Sequence, residues 1–348
     1  MRKGNAMFCM FLGFSVVLLV QGFAGSFPEL LESFSQNNPE AVALELTWSS
    51  AQDSYQANLL AASSKLQVLE ADLKRFQDLN LYQSKKWELI AEFLELLWEI
   101  KELDLEHTIA DVSCKMYMED FLNKQKAFQI GGVSQSEVDL AQVDLSLSET
   151  SLEYYDQRRE TTREYVQAML FLSDIPEVQV ASFTLDPPEP ALDAALLQKM
   201  VPLQIESLSQ ELENTKYQLS SAGIQTPYTA DSSRKMAKIH ELRKRALEDE
   251  LLFQRNKAYQ DLVFSRARFE NASEKKSISL QSLSRLQEAR TKGYITSKDY
   301  YKSLLDMYQF DRLALEAEKE LLHAIVEYCQ TLQLDPLETL PRFLQVVQ

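Results

Sequence analysis

The fold of this chain is decided by two copies of one turn, Gly131-Gly132-Val133-Ser134-Gln135-Ser136-Glu137-Val138 and Lys292-Gly293-Tyr294-Ile295-Thr296-Ser297-Lys298-Asp299-Tyr300. The second copy follows the first at a constant offset of 162 residues, so that Gly131 aligns with Gly293, Val133 with Ile295, Ser134 with Thr296 and Glu137 with Asp299. In each copy a glycine can end one helix in the left-handed conformation, and Ser or Thr can cap the next helix with an acid three residues later. The repeated turn predicts two copies of a long helical hairpin.

Proline positions predict where the helices run. No proline lies between Pro39 and Pro176 or between Pro227 and Pro336, and proline interrupts helices because it lacks the backbone N–H. We expect long helices over residues 84–130 and 238–292, each preceded by a shorter helix, over 47–78 and 192–220. The expected junctions are residues 78–81 in the first repeat and the polar loop 221–235 in the second.

Apolar residues follow each turn at alternating steps of three and four, a period of 3.5 that is typical of a coiled-coil seam. We expect the second seam, with its small alanines, to exceed what one chain can cover and therefore to drive self-association. The seam residues are Val138, Ala141, Leu145, Leu152, Tyr155, Val166 and Met169 in the first repeat, and Tyr300, Met307, Phe310, Ala314, Ala317, Leu321, Ala324 and Tyr328 in the second.

The N-terminus resembles an export signal. Arg2 and Lys3 precede an apolar run over residues 7–20, and Gly22-Phe23-Ala24 is a small-x-small cleavage site. No later segment offers about 18 uncharged apolar residues, as a membrane-spanning helix would need. The predicted division is a signal peptide (1–25), a first hairpin repeat (26–173), a Pro-rich linker (174–191), a second repeat (192–335) and an irregular tail (336–348).

Charge and residue type argue against nucleic-acid binding and against catalysis. The net charge is −16, whereas nucleic acid requires clustered Lys and Arg. His107, His240 and His323 are isolated in sequence, so we expect no catalytic residue, no metal site and no cofactor. Cys114 and Cys329 are not repeat equivalents, and small core residues are the favoured interpretation over a disulfide, although pairing stays open.

The two turns, the signal and the Pro-rich linker together resemble the outer membrane efflux protein family, the TolC-like channels. That family repeats a helix, a strand pair, a long helix, a Gly-x-[Ile/Val]-[Ser/Thr]-x-x-[Asp/Glu] turn and a return helix. The resemblance covers about residues 44–335, and its repeat openings are taken as Leu46-Thr47-Trp48-Ser49-Ser50-Ala51 with Asn58-Leu59, and Ala195-Leu196 with Val201-Pro202-Leu203.

Neither repeat leaves room for the family's transmembrane strand pair, which needs more than about 20 residues. The expected fold class is therefore all-α: duplicated long helical hairpins in a coiled-coil bundle, like the TolC α-barrel with its β-barrel missing or vestigial.

The resemblance implies a function at the hairpin tips, where the family meets a periplasmic adaptor protein. The candidate docking residues are Gly131, Gly132, Val133, Ser134, Glu137, Gly293, Tyr294, Ile295, Thr296 and Asp299. It also suggests gating pairs between Tyr154, Tyr155 or Arg159 and Asp299 or Tyr301. Trp87 and Trp98 are expected in the core or between protomers.

The expected protein is a periplasmic TolC-like conduit or scaffold subunit that associates with itself, as a trimer by resemblance, or with a TolC-like paralogue. It would reach the outer membrane without a barrel of its own. Two alternatives stay open: an outer-membrane efflux channel component, and an unrelated periplasmic coiled-coil protein of structural or chaperone-like function.

Overall fold

The computed structural model describes residues 26–172, 174–181, 183, 197–220, 222 and 227–346. The predicted signal (1–25), most of the Pro-rich linker and Gly223 lie outside these residues. The elements are α1 (Phe27–Asn37), α2 (Pro39–Ala61), α3 (Lys65–Gln129), α4 (Gln135–Leu170), β1 (Val178–Val180), α5 (Val201–Leu219), α6 (Pro227–Thr291), α7 (Ser297–Thr331), α8 (Pro336–Thr339), a 3-10 turn (Leu340–Arg342) and β2 (Leu344–Val346). The predicted all-α fold of duplicated hairpins is confirmed.

The 162-residue offset extends through the whole repeat. The residues before α2 and α5 are Asn38 and Met200, and α3 and α6 each contain 65 residues starting at 65 and 227. After the return helices, Phe171 and Gln333 are both left-handed with φ of 54°. The repeats therefore correspond element by element, and each residue of α2, α3 and α4 has its equivalent 162 positions later.

This register corrects two predictions about the first repeat. The first junction is Ala62–Ser64, because Ser64 accepts a hydrogen bond from the Gln67 amide (3.3 Å) and starts α3 there. The predicted junction at 78–81 lies inside α3, where Asp78 pairs with Lys74 one turn earlier (2.6 Å). Because only three residues join α2 to α3, this position holds no strand pair.

The repeat openings also differ from the expected ones. Asn38 caps α2 by accepting from the amides of Glu40 (2.9 Å) and Ala41 (3.0 Å), and Pro39 occupies the first turn of the helix. The equivalent of this Asn-Pro start is Met200-Val201-Pro202, so the Leu46 segment lies in the middle of α2 and is not the counterpart of Ala195-Leu196.

The four long helices form one layer in the order α4, α3, α7, α6. Hairpin 1 is α3 with α4, hairpin 2 is α6 with α7, and α3 packs along α7 where the two repeats meet. At the end away from the turns, α2 packs on α3, while α5 packs on both α6 and α3. In α3 both long sides are covered, whereas α4 and α6 form the two edges of the layer.

Charged pairs hold the seam between α3 and α7. Asp120 accepts from Lys298 (2.5 Å), Glu106 accepts two hydrogen bonds from Arg312 (2.8 and 2.7 Å), and Glu95 lies 3.1 Å from His323. The steps between these pairs are equal on the two helices, 14 and then 11 residues. The seam is therefore a continuous antiparallel register with acids on α3.

The main core lies at the layer end away from the turns. Phe34 of α1 stacks on Phe93 of α3 with 4.4 Å between ring centroids, and Trp98 is fully buried. Ser33 and Asn37 of α1 both donate to the Leu170 carbonyl (3.2 Å each), which closes the end of α4. The helix α1, which the sequence interpretation did not identify, therefore fixes the top of hairpin 1.

The C-terminal tail, predicted as irregular, is ordered against this core. Trp87 donates its indole N–H to the Leu334 carbonyl (3.0 Å), and Leu340 and Leu344 are buried. Strand β2 pairs antiparallel with β1, with Val178 opposite Val346. This pairing joins the segment after hairpin 1 to the end of the chain, so the C-terminal segment closes the fold.

The two cysteines are free thiols. Cys114 is half-buried and Cys329 is buried in the main core, where burial raises the pKa of the Cys329 thiol to about 12. The favoured sequence interpretation, small packed residues, holds for Cys329.

Within the described residues, no helix combines the length and the apolar character that crossing a membrane requires.

Glu318 supports a testable link between β1 and the helical layer. Its carboxylate accepts from Lys101 of α3 (2.7 Å) and from the Val180 amide (3.1 Å), and the residue is buried. We expect Glu318→Ala to lower the free energy of unfolding by about 3 kcal/mol, because a buried lysine and a buried amide lose their acceptor. Chemical denaturation measures this change.

The matched control is Glu316→Ala on the exposed face of the same helix, expected to change stability by no more than about 0.5 kcal/mol. Equal effects of the two substitutions would contradict the role given to Glu318.

Candidate functional site

The tip of hairpin 1 is a glycine turn followed by a capped helix. Gly131 has a φ of 76°, and the Gly132 amide donates to the Ala127 carbonyl (2.7 Å), which closes α3. Ser134 accepts from the Glu137 amide (3.3 Å), and the Glu137 carboxylate accepts from the Ser134 amide (2.8 Å). The hydrogen bond from the Ser134 backbone, together with that from its hydroxyl, lowers the pKa of Glu137.

The tip of hairpin 2 repeats this geometry with one difference. Gly293 has a φ of 73° and the Tyr294 amide donates to the Ala289 carbonyl (2.9 Å). Thr296 accepts from the Asp299 amide (3.1 Å) and donates its hydroxyl to the Asp299 carboxylate (2.6 Å). The shorter Asp side chain thus bonds the hydroxyl, where Glu137 also reaches the backbone amide.

The predicted tip residues divide into exposed and packed groups. Tyr294 is 77% exposed and Ile130, beside the predicted set, is 86% exposed. Val133 is half-buried, and Ile295 packs beside Tyr300 and Leu304 in a small apolar cluster. The most accessible apolar side chains of the tips are therefore Ile130 and Tyr294, which we call the tip surface.

The suggested gating residues do not meet within the chain. Arg159 lies beside Asp156 (2.9 Å) and His107 (3.4 Å) in hairpin 1. Tyr301 accepts from Arg290 of its own hairpin (3.4 Å), and Asp299 caps α7. The prediction of pairs between these two sets is not supported by any contact in one chain, because each residue is engaged in its own hairpin.

The apolar seam that was expected to bind another protomer lies inside the chain. Ala314, Ala317, Leu321 and Ala324 are buried, and so are Val138, Ala141 and Leu145. They pack within the layer because the sister helix and the other repeat cover them. Self-association through this seam is therefore wrong for a single reason: its surface is already used.

The exposed apolar side chains lie instead on the two edges of the layer. Those of α6 include Phe253 (68% exposed) and Phe264 (64% exposed), 11 residues or three turns apart. Those of α4 are Leu140, Val143, Leu147, Tyr154 and Tyr165. We call these two surfaces the α6 edge and the α4 edge.

The charged side chains around the layer are engaged with each other. An open groove of about 770 Å³ between α3, α7 and β1 contains Lys101 with Glu318, Arg163 with Asp104 (2.5 Å) and Lys276 with Asp311 (3.2 Å). Across the described residues, no group of three or more His, Cys, Asp and Glu is placed to hold a metal ion. These ion pairs stabilise helix contacts.

Comparison with known proteins finds the same fold in outer membrane channels. VceC from Vibrio cholerae superimposes with a TM-score of 0.59 at 11% identity, covering 88% of this chain and 95% of VceC. The channel OprN gives 0.56 at 11%, covering 89% and 90%, and CmeC from Campylobacter jejuni gives 0.52 at 8%, covering 80% and 67%. No protein-family model and no curated protein matches the sequence.

These superpositions span both hairpins, and they agree with the repeated glycine turns and the 162-residue register. The chain therefore has the duplicated helical-hairpin fold of the TolC-like outer membrane efflux proteins.

Proposed function

We propose that the protein is a subunit of a periplasmic, TolC-like helical conduit or scaffold that serves an efflux or secretion system. The observation that carries the proposal is the pair of uncovered layer edges. The chain makes one interface between a first and a second repeat, through α3 and α7, and the equivalent surfaces on the outer side of each repeat have no partner in the chain.

The repeat register gives the residues of the missing interface. Asp120, Glu106 and Glu95 of α3 meet Lys298, Arg312 and His323 of α7 within the chain. Their equivalents, 162 residues away, are Ser282, Arg268 and Lys257 on α6, and Ser136, Thr150 and Thr161 on α4. All six equivalents are exposed, as expected of surfaces that meet in another copy.

A contact of the α4 edge with the α6 edge of a second copy would repeat the internal interface. Such a contact joins different surfaces on the two copies, so it continues from copy to copy until the rotation closes a ring. Burying Phe253, Phe264 and Leu147 in this contact removes apolar area from water, which favours association. The resemblance to the TolC-like proteins suggests that three copies close the ring.

The proposed location is the periplasm, with an association to the outer membrane. It is supported by the signal-like N-terminus and by the outer membrane proteins that share the fold. The three-residue connection between α2 and α3 favours a subunit whose function resides in its helical layer.

We also propose that the tip surface docks an adaptor protein of the cell envelope. Ile130 and Tyr294 are apolar and exposed at the far end of the hairpins, where no core is available to cover them. Such side chains are suited to a protein contact because their burial requires little reorganisation of the rigid, capped turns beneath them.

The first prediction from this proposal concerns assembly. The double variant Phe253→Asp/Phe264→Asp should raise the dissociation constant of self-association at least about 100-fold, because two apolar anchors are each worth about 2 kcal/mol or more. Sedimentation velocity across micromolar concentrations measures the change. Ile130→Asp is the control, since its side chain lies at the tip, away from the α6 edge.

The proposal of self-assembly fails if the unmodified protein is a monomer throughout this range. It also fails if the control at Ile130 weakens association as much as the α6-edge variant does.

The second prediction concerns the tips. A photo-reactive residue placed at Ser297, beside the tip surface, should cross-link one envelope protein in the native host. Ile130→Asp/Tyr294→Asp should abolish this product while leaving the melting temperature and the helical circular dichroism unchanged.

Thr296→Ala is the matched control for the tip variants. It should lower stability by about 1 kcal/mol by freeing a backbone donor at the start of α7, yet retain the cross-link. Loss of the cross-link in the control, or its persistence in the double Asp variant, would contradict docking by the tip surface.

A further inference from the structure

The two edges of the layer carry opposite charge in a chain whose net charge is −16. Between Gln135 and Leu170, α4 has 3 Arg against 8 Asp and Glu, a net charge of −5. Between Pro227 and Thr291, α6 has 14 Lys and Arg against 9 Asp and Glu, a net charge of +5. A basic helix at one edge of an acidic protein favours an acidic partner surface.

Specific charges on both edges are exposed and have no ion-pair partner within the described residues. They are Asp144 and Glu160 on α4, and Lys257 and Lys275 on α6. The repeat equivalents of Glu160 and Lys257 are Leu322, buried in the main core, and Glu95, which pairs with His323. The α6 edge is thus basic where its equivalent in α3 is acidic.

The internal register places these charges opposite each other between copies. Within the chain the reference pair is Asp120 with Lys298, whose equivalents are Ser282 and Ser136. Lys275 lies 7 residues before Ser282 and Asp144 lies 8 after Ser136, while Lys257 lies 25 before and Glu160 lies 24 after. Each acid therefore faces a lysine to within one residue.

We propose that this charge polarity selects the second copy's edge: the acidic α4 edge binds the basic α6 edge of another copy, and pairing of two like edges is repelled. The inference rests on the proposed self-assembly and adds its specificity. Contact between unlike edges is the head-to-tail arrangement that can close a ring, whereas contact between like edges would give a two-fold dimer.

The position of Glu160 and of the neighbouring Glu164 supports this assignment. Their equivalents in α7, Leu322 and Val326, bury apolar surface in the main core. Glutamates at the same positions on α4 make the edge soluble in a free chain and give an attraction that acts before contact, over about one Debye length.

Charge reversal tests the proposal in the full chain. Asp144→Lys/Glu160→Lys reverses the α4 set, Lys257→Glu/Lys275→Glu reverses the α6 set, and the combined variant reverses both. Sedimentation equilibrium at about 0.1 M and about 1 M salt measures self-association, and circular dichroism confirms that each variant is folded.

Each single-edge variant should weaken association about tenfold or more at the lower salt, because attraction becomes repulsion at two sites. The combined variant should return to within about threefold of the unmodified protein, since its charges are again opposite. Raising the salt should weaken the unmodified protein and strengthen both single-edge variants.

The proposal is overturned if the combined variant is no better than the single-edge variants, or if all variants assemble like the unmodified protein. In those outcomes self-assembly itself stands, because the unmodified protein still associates. If the unmodified protein is a monomer, both this inference and the proposed function are wrong.

Discussion

Coverage of the long helices is the constraint on which this structure depends. A helix of 65 residues extends about 100 Å, and a hairpin partner covers only one of its sides. In α3 the second side is covered by α7 of the other repeat, through the acidic and basic pairs of the seam. In α4 and α6 the second side has no long helix against it, so the chain is a layer with two unfinished edges.

The duplication determines how those edges are finished. Because the repeats correspond residue by residue, the internal contact between them is a template for a contact between copies. The substitutions that distinguish the repeats lie where such a contact would form: Glu160 replaces the apolar character of Leu322, and Lys257 replaces the acid Glu95. The internal seam is built for permanence with buried leucines, whereas the outer edges combine exposed aromatic residues with opposite charge.

Local chemistry allowed part of this architecture to be predicted from sequence. Gly131 and Gly293 are left-handed as expected, and Ser134 and Thr296 cap helices, because these features depend on only a few neighbouring residues. The break at residues 62–64 contains neither glycine nor proline, so its signal was the capping pair Ser64 and Gln67 alone. The strand pairing of Val178 with Val346 joins distant segments and has no local signal.

The candidate site was predicted in part for the same reason. The turns could be located from sequence, but the side chains they expose could not, since Ile295 packs on Tyr300 only after the hairpin forms. The alternating seam with Ala314 correctly identified a packed helix face, yet periodicity does not say whether the covering helix comes from the same chain. The open edges became identifiable once the order of the four helices was known.

The central claim, that the internal seam is repeated between copies, is tested most directly by cross-linking Ser136→Cys to Ser282→Cys, the equivalents of Lys298 and Asp120. With a short thiol-specific cross-linker, a chain carrying both substitutions should form covalent oligomers. Chains carrying one substitution, or only the native Cys114 and Cys329, should remain unlinked. Efficient cross-linking by Ser136→Cys alone, or no intermolecular product from the double variant under conditions where the protein associates, would contradict the account.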